Sequence, residues 1–329
     1  MKRYSTEMAI IKALKECKDG YISGEDLARK SSVSRAAIWK QVKNLRDKGY
    51  SIEAVPRRGY RLISSPDLLL PEEIATVLKT EFIGRRIIHR NITGSTNDLA
   101  KELANGGAEE GTVVVAEEQS HGKGRLNRSW VSPPGGIWLS VILRPQVPPS
   151  EASRFTLLAG VAAAKAIETL GIKPEIKWPN DILIGGKKVC GILLELSAQP
   201  DRVDCLIMGF GVNANVDMNK IPQESRERAI TLASFLGKEI DRRQLVADLL
   251  LKLENEYRRL IAGEWDSVIA DWLSRCNTLH ENISLITLQG VIEGEFVGVD
   301  ELGAIQIKLP RGDVKTFSAG DVTVKKRLT

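Results

Sequence analysis

Twice within residues 21–62 the chain sets apolar positions at helical spacing, separated by a short polar break. Ser23 is placed to cap a first short helix whose Leu27 and Ala28 face inward, and Ser31-Ser32-Val33 makes a turn. Ser34 then caps a second helix on which Ile38, Val42 and Leu45 share one buried face. Arg35, Ala36, Trp39, Lys40 and Lys43 fall on the other faces, although the pattern leaves Trp39 open between core and surface. Gly49 ends that helix, and two short strands around PRRG (56–59) form a wing tipped by Arg57 and Arg58. The sum is a winged helix-turn-helix. Ser34, Arg35, Ala36, Trp39, Lys40, Lys43, Arg57 and Arg58 are its candidates for contact with bases and phosphates.

Beyond a linker, SSPDLLLPEE, where Pro71 suits the first position of a new helix, helical and strand patterns alternate. Helices are expected over 97–105, ending at Gly106-Gly107, and over 151–170, ending at Gly171. Strands are expected over 112–118, over 137–143, on either side of Gly185-Gly186 and over 206–213. The polar segment 214–230 reads as mobile, and helices follow over 241–262 and 265–275. Residues 282–325 read as short strands with turns at Asp300–Gly303 and Arg311–Asp313, enough for a small β-barrel. The expected organisation is α+β in three domains: 1–64, 70–275 and 276–329.

Composition narrows the function classes. Apolar residues make up 43% of the 329 and charged residues 27%, an ordinary globular balance. No apolar run approaches the roughly 18 residues of a membrane span, and MKRYSTEMAI lacks the apolar core of a secretory signal. Cys17, Cys190, Cys205 and Cys276 are scattered, without disulfide or zinc-ligand spacing. These features point to a reduced, cytoplasmic protein with no structural metal and no membrane partner. The net charge of +5 hides an asymmetry, because residues 1–61 carry +8 and the remainder −3. A polyanionic partner such as DNA therefore belongs to the amino-terminal end. A basic module making protein contacts is the competing reading of that end.

HGKGRLNRSW (121–130) sets two glycines among Lys123, Arg125 and Arg128, a loop suited to an anion. It lacks the order of a phosphate loop and does not join a strand to a helix as a dinucleotide turn does. It reads instead as a loop across a sheet edge. Alone it is equally a solvated turn, but three other stretches change its weight. GSTND (94–98) opens a helix with Ser95, Thr96 and Asn97; KWPND (177–181) enters the Gly-Gly hairpin; Lys188 follows that turn. Together they combine neutral donors for a polar ligand with cations for carboxylate and phosphate.

In these residues the chain closely resembles biotin protein ligases of the bifunctional bacterial type that also repress the biotin operon. The likeness spans nearly the whole chain: the winged helix, STN, EEQ with the glycine/basic loop, KWPND, KKVCGILLEL, GFGVN and the C-terminal strands. One departure is visible. The family's GRGRxGR is GKGRLNR here, so Lys123 replaces an Arg and Asn127 a Gly; lysine keeps the charge and loses the bidentate fork.

The resemblance implies a central class II synthetase-like mixed sheet and a C-terminal SH3-like barrel. It implies ATP with Mg2+ and biotin as substrate, with biotinyl-5′-AMP formed first. Biotin then passes to a lysine of a biotin carboxyl carrier domain. The same adenylate would serve as corepressor, favouring a homodimer on operator DNA. Carried over motif by motif, Ser95, Thr96, Asn97, Gln119, Lys123, Gly124, Arg125, Trp130 and Lys188 bind biotin, with Lys188, Arg125 and Lys123 catalytic. Arg128, Lys177, Asp181 and Asn213 bind ATP or its phosphates. Each has a plainer alternative: Ser95 and Thr96 as helix caps, Lys188 as a solvated strand residue, Asp181 as a turn residue. Cys190, two residues beyond Lys188 and on the same strand face, is conceivable as a thioester nucleophile, but a buried apolar thiol is the ordinary case. A biotin sensor without catalysis, or a lipoate or octanoate ligase, are the competing functions. The intact cations weigh against the first, and the polar STN and Gln119 set against the second.

Overall fold

The computed structural model describes residues 2–17, 20–287 and 289–324. The reading of 282–325 as strands extends to residues 288 and 325, which lie outside the described residues. Chain contacts divide between Leu78 and Lys79, giving two units.

In the first unit α1 (Lys2–Glu16), α2 (Gly24–Lys30) and α3 (Arg35–Asp47) precede a hairpin of β1 (Ser51–Val55) and β2 (Gly59–Ser64), and α4 (Pro71–Ala75) follows. Both expected caps are present: Ser23 accepts from Asp26 N, and Ser34 from Ala37 N. Ile38, Val42 and Leu45 are buried with Leu27, Ile10 and Ile52. Residues 64–73, expected as a linker, are instead packed into this unit. Leu69 is fully buried, Leu70 joins the core cluster, and Glu72 and Glu73 are buried against Lys48, Lys15 and Tyr50. Buried carboxylates require such partners. The unit therefore runs on to Leu78, past the expected boundary at 64.

The second unit runs β3 (Ile87–Thr93), α5 (Thr96–Asn105), β4 (Val113–Gln119), β5 (Ile137–Leu143), α6 (Ala152–Glu168), β6 (Glu175–Lys177), β7 (Asp181–Ile184), β8 (Lys187–Ala198) and β9 (Val203–Val212). Helices α7 (Gln223–Arg226), α8 (Leu232–Leu236), α9 (Arg242–Ile261) and α10 (Trp265–Leu273) come next. Among the described residues, seven strands form one mixed sheet in the order β3-β4-β5-β9-β8-β7-β6, parallel only between β3 and β4. Alternation along the strands gives it two faces. On one, Ala100 and Ala104 of α5 pack on Val114, Ile142 and Ile207. On the other lies α6, almost wholly buried and packed in turn against α9.

Strands β10 (Asn282–Thr287), β11 (Gly290–Val299), β12 (Ile305–Lys308), β13 (Val314–Phe317) and β14 (Asp321–Val324) make a five-stranded antiparallel sheet, ordered β13-β12-β11-β10-β14. Ile283, Leu285, Phe296, Ile305 and Ile307 fill its core, and Phe296 meets Trp272 edge-on. The α+β class and the C-terminal antiparallel unit stand as expected.

Candidate functional site

On the α5 face of the large sheet, β8 and β9 carry glycine at three adjacent points. Gly191 pairs with Gly211, and Leu193 with Gly209. Glycine inside a strand marks a close approach. A Cβ on Gly209 would lie 2.2 Å from Asn97 Oδ1, and one on Gly211 would lie 2.6 Å from Trp130 Nε1. The missing side chains leave room for a cavity of about 710 Å³, lined by the start of α5, the basic loop, β8, β9 and the 221–229 segment.

The loop after β4 does not cross a sheet edge, because β4 and β5 are hydrogen-bonded neighbours inside the sheet. The intervening residues instead fold back as a small hairpin. Trp130 N donates to Gly122 O at 2.8 Å, and Gly124 N to Arg128 O at 2.7 Å. At its tip Leu126 and Asn127 both have positive φ, 55° and 57°, as the two central residues of a type I′ turn require. Asparagine tolerates that region better than other non-glycine residues, which suits Asn127 to the turn.

Four of the expected cations, Lys123, Arg125, Arg128 and Lys188, line the single cavity, each paired with a carboxylate. Lys123 donates to Asp98 at 2.5 Å, which raises its pKa above the usual lysine value. Lys188 donates to Asp181 at 2.6 Å and sits 4.9 Å from the Trp130 ring centre. Arg128 pairs with Asp321, which also lies 3.7 Å from Arg125. Burial pulls the Arg125 pKa below its ordinary value, against the opposing pull of Asp321 and Asp181. Arg228 also lines the cavity, and it has no carboxylate partner among the described residues.

The polar expectations are met differently. Ser95 is buried at the cavity wall and does not cap α5. Gln119 does that work: its Oε1 accepts from Thr96 N at 2.8 Å and Thr96 Oγ1 at 3.0 Å, while its Nε2 donates to Ser132 Oγ at 2.8 Å. Asn97 donates to Glu195 at 2.7 Å and accepts from Ser140 at 2.5 Å. Gly124, Trp130, Asp181 and Asn213 also line the cavity. Lys177 is not among its lining residues; it lies on the three-residue edge strand β6.

Cys190 does not share a face with Lys188. Ile182 pairs with Cys190 and Leu183 with Lys188, so Val189 is an unpaired bulge residue that reverses the alternation. The bulge brings Lys188 and Gly191 to the cavity and buries Cys190 completely, with its thiol pushed up to about 12 by burial. Cys190→Ala should therefore retain full turnover, and the folded chain should resist alkylation at Cys190 at mildly alkaline pH. Peptide mapping after iodoacetamide treatment reads this directly.

The 214–230 segment is ordered along the cavity. Val216 and Ile221 are buried against Trp138, and residues 228–230 bracket Lys188 through backbone bonds of 2.8 Å and 3.0 Å. Sequence reasoning passed over Asn180, Ser140, Asp98, Glu195, Asp321 and Arg228. The strand glycines at 191, 209 and 211 were the available signal for this face. Among the described residues no cluster of His, Cys, Asp or Glu has metal-holding geometry, and no helix is long and apolar enough to cross a membrane.

In the first unit Ser34, Arg35, Ala36, Trp39, Lys40, Lys43, Arg57 and Arg58 are all exposed. Trp39 is 64% exposed, which settles it as a surface residue.

One unit is thus a basic winged helix, and the other holds a cavity that gathers cations over a glycine floor. The chain belongs to the biotin/lipoate A/B protein ligase family, whose model matches residues 90–213; an HTH domain matches 6–61 and the biotin protein ligase C terminal domain 278–325. It is 40% identical over 312 residues to the bifunctional ligase/repressor BirA of Bacillus subtilis, covering 94% of this chain and 96% of that one. It is 28% identical over 305 residues to BirA of Escherichia coli, covering 92% of each. Among solved structures, the biotin protein ligase from Aquifex aeolicus in complex with biotin and ATP superposes with a TM-score of 0.64 at 30% identity, covering 74% of this chain and 99% of that one.

Proposed function

We propose that this chain is an ATP-dependent biotin protein ligase that also represses transcription as a DNA-bound dimer. The observation that carries the reading is the convergence of Lys123, Arg125, Arg128 and Lys188 on one cavity beside the polar start of α5. In the first step a carboxylate oxygen of biotin attacks the α-phosphorus of ATP. The bond from that phosphorus to the bridging oxygen breaks, and pyrophosphate leaves. Two unit charges about 4 Å apart repel by roughly 4 kcal/mol at an effective dielectric near 20. Charge-assisted hydrogen bonds of about 1.5–3 kcal/mol each offset that repulsion.

In this reading the carboxylates of Asp98, Asp181 and Asp321 hold the positions that substrate anions take over. Lys188 bridges the biotin carboxylate and α-phosphate, with Lys123, Gly124 and Arg125 beside it. Ser95, Thr96, Asn97 and Gln119 bind the uncharged biotin head, and Trp130 walls its pocket. Arg128, Arg228 and Asn213 serve the nucleotide. Asp181 is the residue that would hold an Mg2+ ion brought with ATP, since one or two carboxylates are the usual protein contribution, and the ion would there screen the phosphate charge. In the second step the neutral amine of an acceptor lysine attacks the acyl carbon, its surplus proton leaves, and the carbon–oxygen bond to AMP breaks. In this reading Asp181, on the cavity wall, orients that amine. Positioning and electrostatics suffice without an enzyme nucleophile.

One winged helix reads a half-site, so operator binding calls for two copies related by a two-fold axis. We place the protein in the cytoplasm, where its acceptor and DNA are found. The test is mass spectrometry of a purified biotin carboxyl carrier domain after incubation with the chain, biotin and MgATP. One added biotin is expected. An unmodified domain, or one that takes lipoate in preference, would overturn the assignment.

A further inference from the structure

The wing of the first unit is fastened to Tyr21. Ile22 and Tyr60 exchange backbone hydrogen bonds of 2.9 Å, an isolated antiparallel bridge that ties the wing to the segment before α2. Gly59, with φ of 109°, lies so close to it that a Cβ there would sit 2.1 Å from Ile22 O. This contact sets the phenol of Tyr21 beneath the wing. The Arg58 guanidinium lies 4.4 Å from its ring centre and that of Arg61 5.0 Å. The Tyr21 hydroxyl donates to Glu53 Oε2 at 2.6 Å, and Arg61 donates to the same oxygen at 2.8 Å. The carboxylate of Glu53 is thus engaged by Tyr21 and Arg61. Arg58 is left with a ring against it and no carboxylate partner among the described residues.

We infer that Tyr21 is a positioning residue for DNA binding, holding Arg58 stacked at the wing, with no salt-bridge partner among the described residues, so that its N–H edge can meet a phosphate or base edge. A stacked guanidinium keeps its donors in one plane and loses little further rotamer freedom on contact. The inference rests on the DNA-binding reading of this unit and goes beyond it, since Tyr21 belongs neither to the recognition helix nor to the wing.

The test uses the full-length chain with biotin and MgATP on a duplex that the unaltered chain selects from a random-sequence pool. Tyr21→Leu is expected to weaken binding about 3- to 10-fold and to lower the salt slope by about one, as loss of one phosphate contact does. Biotinylation activity should be unchanged, and amide hydrogen exchange over residues 24–64 should match the parent's, which shows that both units of the variant fold. Tyr21→Phe, which keeps the ring, should bind nearly as the parent does. The deciding measurement is the cycle with Arg58→Ala: the double variant Tyr21→Leu/Arg58→Ala should bind no worse than Arg58→Ala alone. Independent, additive losses would overturn the inference, as would unimpaired binding by Tyr21→Leu. If the unaltered chain selects no duplex at all, the DNA-binding reading falls with it.

Discussion

Lys188→Ala should lower adenylate formation by about 10²- to 10³-fold, the range found when a single preorganised donor is removed from a developing charge. Pyrophosphate release with biotin and MgATP measures it. The loss should fall mainly on kcat, because the ammonium is asked to stabilise the joined carboxylate and phosphate more than either ground state. The structure adds a second cost. Lys188 neutralises Asp181, whose side chain is only 21% exposed. Truncating the lysine leaves that carboxylate facing two incoming anions. Lys188→Ala combined with Asp181→Asn should therefore recover part of the lost rate, although the double variant removes two groups. A Lys188→Ala chain with undiminished pyrophosphate release would remove the lysine from the reaction. The bracket of residues 228–230 around the Lys188 backbone makes loop order a condition for placing this side chain. Substitutions that loosen α7 should then resemble a mild Lys188 defect rather than a pure loss of nucleotide affinity.

The chemistry was legible wherever one residue type carries one physical meaning. Capping serines, a helix with Ile38, Val42 and Leu45 inward, and basic side chains left outside require a winged helix before any contact is known. The clustered cations were legible as separate motifs, and the fold supplied their convergence. Two kinds of information were not in the local pattern. One was register: strict alternation sets Lys188 and Cys190 on one face, and only the pairing with β7 reveals the bulge that parts them. The other was the partner set. Asp98 closes the GSTND stretch without declaring its partner, and Asp321 lies far along the chain from the loop it neutralises. The packed 64–73 segment failed to read as core for a related reason. Its prolines and acids look solvated until Lys15, Lys48 and Tyr50 arrive from elsewhere in the unit.

Gly211→Ala should be the most damaging small substitution at the cavity floor. The new methyl would lie 2.6 Å from Trp130 Nε1 and 2.7 Å from its Cε2, distances at which something must move. The backbone cannot yield cheaply, because Gly211 is paired on both sides, with Trp138 of β5 and Gly191 of β8. The indole is confined as well. It lies over Gly191, where a Cβ would be 2.9 Å from its Cζ3, and meets Trp138 edge-on at 6.5 Å between ring centres. The ring must therefore tilt into the cavity and carry the stacked Lys188 ammonium with it. Overpacking of this kind costs about 1–3 kcal/mol of stability, a fall in Tm that still leaves a folded chain. The larger effect should be on ligand binding, a loss of about 10- to 100-fold in biotin affinity by calorimetry, as a pocket wall shifts by part of an ångström. Unchanged biotin affinity in Gly211→Ala would mean that Trp130 does not wall the biotin pocket, and the ring would then have to be assigned to the nucleotide side of the cavity.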